Sequence, residues 1–244
     1  MVHKKIVLVI VEGPSDDEAL GVLLDKIFDD NRVYVHIAHC DLTTERGSGY
    51  STILRQLGEV ISRITKQYHW KKSDFQEIIQ IIDMDGAYIP DEGIIEDSNA
   101  RKTLYSLTEI RTINVQGIVR RNATKRSCID KLSSTYKIWD IPYRIYYMSS
   151  NLDHVLYNKQ NSTDIEKEED AFEFSERYKD DIDGFIQYIC ESDFSVKRTY
   201  SESWDFIKEE MHSLQRYTNF GICLQNVTSK NEKKNLLSSS FSGK

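Results

Sequence analysis

One segment near the N-terminus constrains the fold more than any other. Residues 5–11 read KIVLVIV, a short run of mostly β-branched apolar residues, which is typical of a strand buried on both faces. The turn EGPSD at 12–16 follows, and apolar residues then recur at helical spacing up to Phe28. We expect Ser15 to cap this helix, with Glu18 completing a capping box. A buried strand, a tight turn and an amphipathic helix form the first half of a βαβ unit.

The same alternation of strand and helix continues along the chain. Further strands are predicted for VYVHIA at 33–38, FQEIIQII at 75–82 and YRIYYM at 143–148, and an amphipathic helix for the apolar residues recurring over 53–64. Strands that alternate with helices favour a parallel sheet with helices on both faces. The sequence therefore predicts an α/β fold with a Rossmann-like parallel sheet.

The organisation along the chain is less uniform. We expect an α/β domain over residues 1–160, interrupted at about 87–140 by a helical insertion made of loops and short helices. An acidic, aromatic C-terminal helical subdomain should occupy 161–227, with a small helical core of its own. The Ser-, Lys- and Asn-rich residues 228–244 are expected to form a flexible tail.

Composition excludes several classes of protein. The sequence has no run of about 18 apolar residues, so we expect no transmembrane helix and a cytoplasmic location. Its four cysteines form no CxxC pair, which argues against a zinc ribbon or a disulfide scaffold. The net charge of −7 argues against a protein held to nucleic acid mainly by a basic surface. Local basic groups, including Lys125 and Arg126, remain available to guide a phosphate backbone.

Acidic residues follow two of the predicted strands. Glu12 comes directly after the first strand, and Asp83 and Asp85 follow the third. Open parallel sheets collect ligands at the carboxyl ends of their strands, so we expect both groups to face one crevice. Residues i and i+2 of an extended segment project to the same side, which leaves Met84 for the core. Carboxylate oxygens are the ligands that Mg²⁺ and Mn²⁺ prefer.

Two further aspartates near Glu12 suggest a second metal ion. Asp16 and Asp17 lie in the first turn of the first helix, close to Glu12 in sequence. Two ions a few ångström apart can activate a water and stabilise the leaving oxygen of a phosphodiester. The alternative is that these aspartates favour the positive end of the helix dipole and bind no metal.

Three motifs resemble those of a known family. Residues 11–16 (VEGPSD), placed between a strand and a helix, resemble the first motif of Toprim domains, in the form found in the overcoming-lysogenization-defect (OLD) nucleases. Asp83-Met84-Asp85 resembles the DxD motif of that family, and Asn151-Leu152-Asp153 resembles its later acidic motif. The resemblance covers about residues 5–157 and implies a Toprim-like fold with metal-dependent cleavage of nucleic acid.

The resemblance also implies roles for individual residues. Glu12 is expected to be a metal ligand or general base, Asp83 and Asp85 to be metal ligands for Mg²⁺ or Mn²⁺, Asp16 to support a second metal, and Asp153 to be a further acid.

The family also uses a lysine near the scissile phosphate, which no clear motif fixes in this sequence. Lys125 and Lys159 are the candidates, and with Arg126 they form the expected nucleic-acid contacts. The OLD nucleases carry an ATPase domain, but this sequence has no GxxxxGK[ST] motif. The resemblance therefore implies an effector subunit of a phage-defence system that acts on DNA or RNA, pairs with a separate ABC-type ATPase and can form a homo-oligomer.

Two other functions remain open at this point. The first is a Toprim-like binding or assembly module with a degenerate site, which the uncertain lysine favours. The second is a small-molecule phosphotransfer protein or a receiver domain, although the turn at 12–14 fits a receiver poorly. Metal-dependent nicking of a plasmid distinguishes the nuclease from both.

Overall fold

The computed structural model describes residues 5–28 and 33–229. The predicted flexible tail lies outside the described residues except for 228–229, which are helical. The strands in chain order are β1 (Lys5–Val11), β2 (Val33–His39), β3 (Phe75–Asp83), β4 (Ile94–Glu96), β5 (Leu104–Tyr105), β6 (Ile110–Thr112), β7 (Lys137–Ile138) and β8 (Ile141–Met148).

Helices account for most of the remaining regular structure. They are α1 (Pro14–Phe28), α2 (Ile53–Gln67), α3 (Val115–Ser133), α4 (Leu152–Tyr157), α5 (Asp164–Tyr178), α6 (Ile182–Glu191), α7 (Tyr200–Lys208) and α8 (220–229). In the described ranges, none of the helices combines the length and the apolar character needed to cross a membrane.

The main sheet has five strands in the order β2-β1-β3-β8-β7. The first four strands in this order run parallel, and the short β7 pairs antiparallel with β8. The protein is therefore α/β with a mixed, mostly parallel sheet flanked by helices, a Rossmann-like arrangement. All four strands predicted from the sequence are confirmed, and their carboxyl ends lie at one edge.

Side chains of β1 alternate between two hydrophobic cores because successive residues of a strand point to opposite faces. Val7 and Val9 pack with α1 on one face. Leu8 and Ile10 pack with α2 and α3 on the other. Both faces of the sheet are covered, which explains why KIVLVIV is apolar without alternation.

The C-terminal helices complete these cores. Phe174 of α5 and Phe185 of α6 belong to the same cluster as Val7 and Val9. Trp204 of α7 joins the cluster on the opposite face. The aromatic residues expected to form a small core of their own therefore pack against the main sheet.

The insertion differs from its prediction as loops and short helices. It contains a three-stranded sheet in the order β4-β6-β5 and the 19-residue helix α3. The buried face of α3 includes Ile118 and Ile129, but also Asn122 and Lys125. These two polar residues interrupt the apolar periodicity by which an amphipathic helix is recognised in a sequence.

Candidate active site at the carboxyl edge of the sheet

The turn after β1 is held by an aspartate. Helix α1 begins at Pro14, as suits a residue with a fixed φ and no N–H. Asp16, two residues later, accepts hydrogen bonds through Oδ2 from the backbone N–H groups of Gly13 (2.9 Å) and Glu12 (3.1 Å). The predicted cap at Ser15 with Glu18 is therefore wrong. Because the helix begins at Pro14, Asp16 is its third residue, and the side chain at that position bonds the N–H of the cap.

The carboxylate of Glu12 lies against the end of β3. Its Oε1 accepts a hydrogen bond from the backbone N–H of Asp83 at 3.2 Å. The carboxylate of Asp83 in turn accepts the backbone N–H of Leu152, the first residue of α4, at 2.9 Å. The expectation that Glu12 and Asp83 share one edge of the sheet is therefore confirmed, and the loop after β8 meets them there.

After Asp83 the chain turns sharply. Met84 is fully buried, as expected, and Asp85 and Gly86 both have left-handed backbones, with φ of 50° and 66°. The Asp85 N–H donates to the Ser150 carbonyl at 2.7 Å. A Cβ at Gly86 would lie 2.6 Å from Leu214 Cδ2, so this position requires glycine for both space and conformation.

A lysine from the insertion reaches this cluster. Lys125 of α3 has a fully buried side chain, and its Nζ lies 2.5 Å from Asp85 Oδ2 and 3.6 Å from Glu12 Oε1. Arg121 lies one turn earlier on the same face of the helix, and its Nη2 donates to the Asp85 carbonyl at 2.8 Å. Of the two candidate lysines, Lys125 therefore lies beside the acidic cluster.

Burial and neighbouring charges shift the pKa values of the acidic residues in opposite directions. Burial raises the pKa of Glu12 to about 8 against the opposing effect of Lys125. Burial, together with the charge of Glu12, also raises the pKa of Asp83. Burial would raise the pKa of Asp85 as well, but Lys125 and Arg121 outweigh it and hold that pKa below its usual value. Lys125 and Asp85 therefore form the ionised pair of the site at neutral pH.

The structure places the other predicted site residues around this cluster rather than in it. Asp153 is buried on α4; its Oδ2 accepts no hydrogen bond from the described residues and lies 3.7 Å from Lys167 Nζ. Burial raises the pKa of Asp153 to about 6. Arg126 donates to the Ala87 carbonyl at 3.0 Å. Lys159 pairs with Asp170 on the surface at 2.7 Å.

Two charged residues near the site were not predicted. Asp41 follows β2, and its charge contributes to the raised pKa of Glu12. It obeys the same strand-end rule that identified Glu12, and applying that rule to β2 would have found it. Lys167 of α5 acts electrostatically on Asp16, Asp85 and Asp153, but no sequence signal links α5 to this edge.

The cluster can be tested for its fit to a divalent metal. Among the described residues, no three acidic, histidine or cysteine side chains form a ready-made metal cage. Glu12 and Asp83 each use one carboxylate oxygen for a backbone N–H, and the second oxygen of each accepts no hydrogen bond within the described ranges. Mg²⁺ often takes one or two carboxylates and keeps several waters, so these two residues fit such an ion.

These observations define a Rossmann-like α/β protein with a buried acidic cluster and a buried lysine at the carboxyl edge of its sheet. Comparison of the chain with protein-family models, with curated proteins and with solved structures finds no match.

Proposed function

We propose that the protein is a Mg²⁺- or Mn²⁺-dependent hydrolase that cleaves phosphodiester bonds in nucleic acid. The observation that carries this proposal is the meeting of Glu12, Asp83, Asp85 and Lys125 at the carboxyl edge of the sheet. These residues are supplied by β1, by the end of β3 and by the insertion. Such convergence of titratable groups with separated pKa values is common at catalytic sites.

Glu12 and Asp83 are the proposed metal ligands. A bound Mg²⁺ or Mn²⁺ would supply a Lewis acid and an activated water. Glu12 is alternatively a general base: in the metal-free protein its carboxyl, with a pKa of about 8, can exchange its proton near neutral pH. Asp83 orients α4 through the Leu152 N–H, so the ligand pair is held by hydrogen bonds before substrate arrives.

Lys125 is the proposed cation for the scissile phosphate. Its ammonium group contacts two carboxylates, and Asp85 holds it in place through the shorter contact. A phosphate oxygen entering between Glu12 and Lys125 would gain a charge-assisted hydrogen bond. Asp85 then acts as a positioning residue, while Lys125 touches the reacting group.

The same lysine supports a second candidate function. Lys125 already offsets the charge of Glu12 and Asp85 without any metal, so the cluster can be stable as a purely structural element. A Toprim-like binding or assembly module with a degenerate site would show this arrangement and have no catalytic activity. Asp83 favours the hydrolase, because its carboxylate is buried and has no cation within ion-pair distance among the described residues.

Cleavage assays on the purified full-length chain distinguish the two functions. Supercoiled plasmid, single-stranded DNA and tRNA are incubated with Mg²⁺, with Mn²⁺ or with EDTA. The hydrolase predicts cleavage of at least one substrate that requires the metal. Absence of cleavage on every substrate with both metals favours the binding module.

The Toprim resemblance extends this proposal beyond the chain itself. We infer from it a cytoplasmic effector subunit of an anti-phage defence system, with a separate ABC-type ATPase as partner and with self-association. Light scattering of the purified protein measures self-association. Affinity purification of the tagged protein from its native host, followed by mass spectrometry, tests for an ATPase, and the exposed-site variant Glu18→Gln serves as a folded control.

A further inference from the structure

One edge of the main sheet is open to a further strand. β2 is the outermost strand at this edge and pairs with β1 over all seven of its residues, with no shift in register. In the described part of the chain, no other segment makes a backbone hydrogen bond to β2. Edge strands are usually protected by lysine, by proline or by a bulge, and the strand VYVHIAH has none of these. This edge is therefore a template for strand addition.

Every second residue of β2 directs its backbone groups outward. The Cys40 N–H, immediately after β2, donates to the Val11 carbonyl at 2.8 Å. Because alternate residues of a strand bond the same neighbour in a parallel ladder, residues 34, 36 and 38 share this inward orientation. The N–H and C=O groups of Val35, Ile37 and His39 therefore point away from the sheet, where an added strand can pair with them.

A groove runs along this open edge between β2 and α1. Its volume is about 660 Å³, and its β2 wall consists of residues 34–37 and His39. The α1 wall includes Asp17, Gly21 and Asp25, which lie about one helical turn apart, and the lining contains no lysine or arginine. The Asp17 carboxylate contacts His39 Nε2 at 3.0 Å, whereas the Asp25 carboxylate has no hydrogen-bond or ion-pair partner among the described residues.

The two faces of the open edge differ in character. Val35 packs with α1 in the core. Tyr34 and Trp70 contact each other on the opposite face, with 6.0 Å between their ring centroids, and Tyr34 is 48% exposed. Successive side chains of an added strand alternate between these faces, so one set meets the carboxylates of Asp17 and Asp25 and the other set meets Tyr34. A complementary segment therefore alternates basic residues with apolar ones.

We propose that this edge binds an extended segment of a partner protein in which lysine or arginine alternates with apolar residues. Main-chain hydrogen bonds to β2 would supply affinity, and the acidic wall of α1 would select basic side chains. A second copy of this chain fits less well, because two-fold pairing of β2 brings two acidic α1 walls together.

This inference does not depend on the proposed nuclease activity. The groove is formed by β2 and the outer face of α1, and none of Glu12, Asp83, Asp85 and Lys125 lines it. Binding of a partner segment can therefore be measured whether or not the protein cleaves nucleic acid.

Fluorescence anisotropy with labelled heptapeptides tests the charge preference. The full chain is titrated with two blocked peptides that match the length of β2, one alternating lysine with valine and one alternating glutamate with valine. We expect the lysine peptide to bind at least about tenfold more tightly, through ion pairs gained and like charges avoided. Asp25→Asn should weaken its binding by about two- to fivefold, the effect of one exposed ion pair. Asp91→Asn, an exposed position outside the groove, and Glu12→Gln should bind this peptide as the wild type does.

N-methylated peptides test the main-chain pairing without altering the protein. Only alternate N–H groups of an added strand point toward β2. Methylation of every lysine nitrogen and methylation of every valine nitrogen should therefore have unequal effects. We expect one of these two peptides to bind at least about tenfold more weakly than the unmethylated peptide, because its hydrogen bonds to β2 are lost, and the other to keep its affinity.

Selective binding of the lysine peptide through one set of N–H groups supports the proposal. It is overturned if the lysine peptide does not bind saturably up to about 1 mM, if the two methylation patterns have equal effects, or if Asp25→Asn keeps the wild-type affinity. Light scattering of the chain with and without the peptide covers the remaining occupant. Dimerisation that excludes the lysine peptide would assign this edge to a second copy of the chain and would also overturn the proposal.

Discussion

The substitution Glu12→Gln should stabilise the metal-free protein while removing its proposed activity. Glu12 is held in a buried site where its pKa is raised from 4.5 to about 8. A raised carboxyl pKa means that the folded protein holds a proton that the unfolded chain releases. Its contribution to stability is therefore complete below pH 4.5 and is lost as the pH rises through about 8.

The expected change in the free energy of unfolding follows from the difference between pH 7 and the unfolded-state pKa of 4.5. One pKa unit corresponds to about 1.4 kcal/mol, so at pH 7 the penalty for Glu12 is about 3 kcal/mol relative to a neutral side chain. The side chain keeps 15% exposure, which lowers this penalty. We therefore expect Glu12→Gln to gain about 2 kcal/mol in free energy of unfolding at pH 7, and to gain more at pH 8 than at pH 6.

Asp85→Asn provides the matched contrast at the same site. The pKa of Asp85 is lowered by Lys125 and Arg121, so its stabilising effect is present above pH 3.8 and is lost only in acid. Removing this charge leaves the buried Lys125 with Glu12 alone, and we expect a loss of about 2–3 kcal/mol at pH 7. Two substitutions that each replace a carboxyl group by an amide should thus change stability in opposite directions.

Urea denaturation in EDTA at pH 6, 7 and 8 measures both effects, with Glu18→Gln and Asp91→Asn as exposed controls. A buried Glu12 with a raised pKa is ruled out if Glu12→Gln destabilises the protein by more than 1 kcal/mol, or if the difference from wild type does not grow with pH. Addition of Mg²⁺ should reverse the order by stabilising the wild type more than Glu12→Gln, because only the wild type keeps both proposed ligands.

Further predictions concern the surroundings of the cluster. Lys125→Met should cost about 3–5 kcal/mol, because it leaves buried carboxylates without their cation; urea denaturation against the exposed Lys66→Met measures this, and a change under 1 kcal/mol would contradict it. Gly86→Ala should cost about 2–4 kcal/mol through a strained backbone and a contact with Leu214, seen as a lower thermal midpoint. Asp153→Asn should gain about 1–2 kcal/mol at pH 8 and nothing at pH 4, because burial raises the pKa of Asp153 from 3.8 to about 6 and its stabilising effect is lost above that pH; equal effects at the two pH values would argue against this.

The sheet could be predicted from the sequence because its strands are locally distinctive. KIVLVIV and FQEIIQII are buried on both faces and need no alternation to be recognised. The strand-end rule then placed Glu12 and Asp83 together across about 70 residues of chain, and the structure joins them by a hydrogen bond.

The insertion and the helix start could not be predicted for physical reasons. Lys125 occupies a core-facing position of α3 because Asp85 and Glu12 compensate its charge, and a sequence pattern contains no information on such distant partners. Serine is a common helix cap, so the sequence favoured a helix start at Ser15. In the structure α1 begins at Pro14, and Asp16 accepts the hydrogen bond from the N–H of Gly13.

The most direct test of the proposed site is the rate of plasmid nicking in Mn²⁺ by three proteins measured side by side: the wild type, Glu12→Gln and Glu18→Gln. A bound metal and its activated water supply most of the catalysis in such sites, so losing a ligand should lower the rate by at least about 100-fold. We predict that the wild type and Glu18→Gln nick at the same rate and that Glu12→Gln, though folded and more stable, does not nick above the EDTA background. Nicking by Glu12→Gln at the wild-type rate would contradict the assignment of this cluster as the active site.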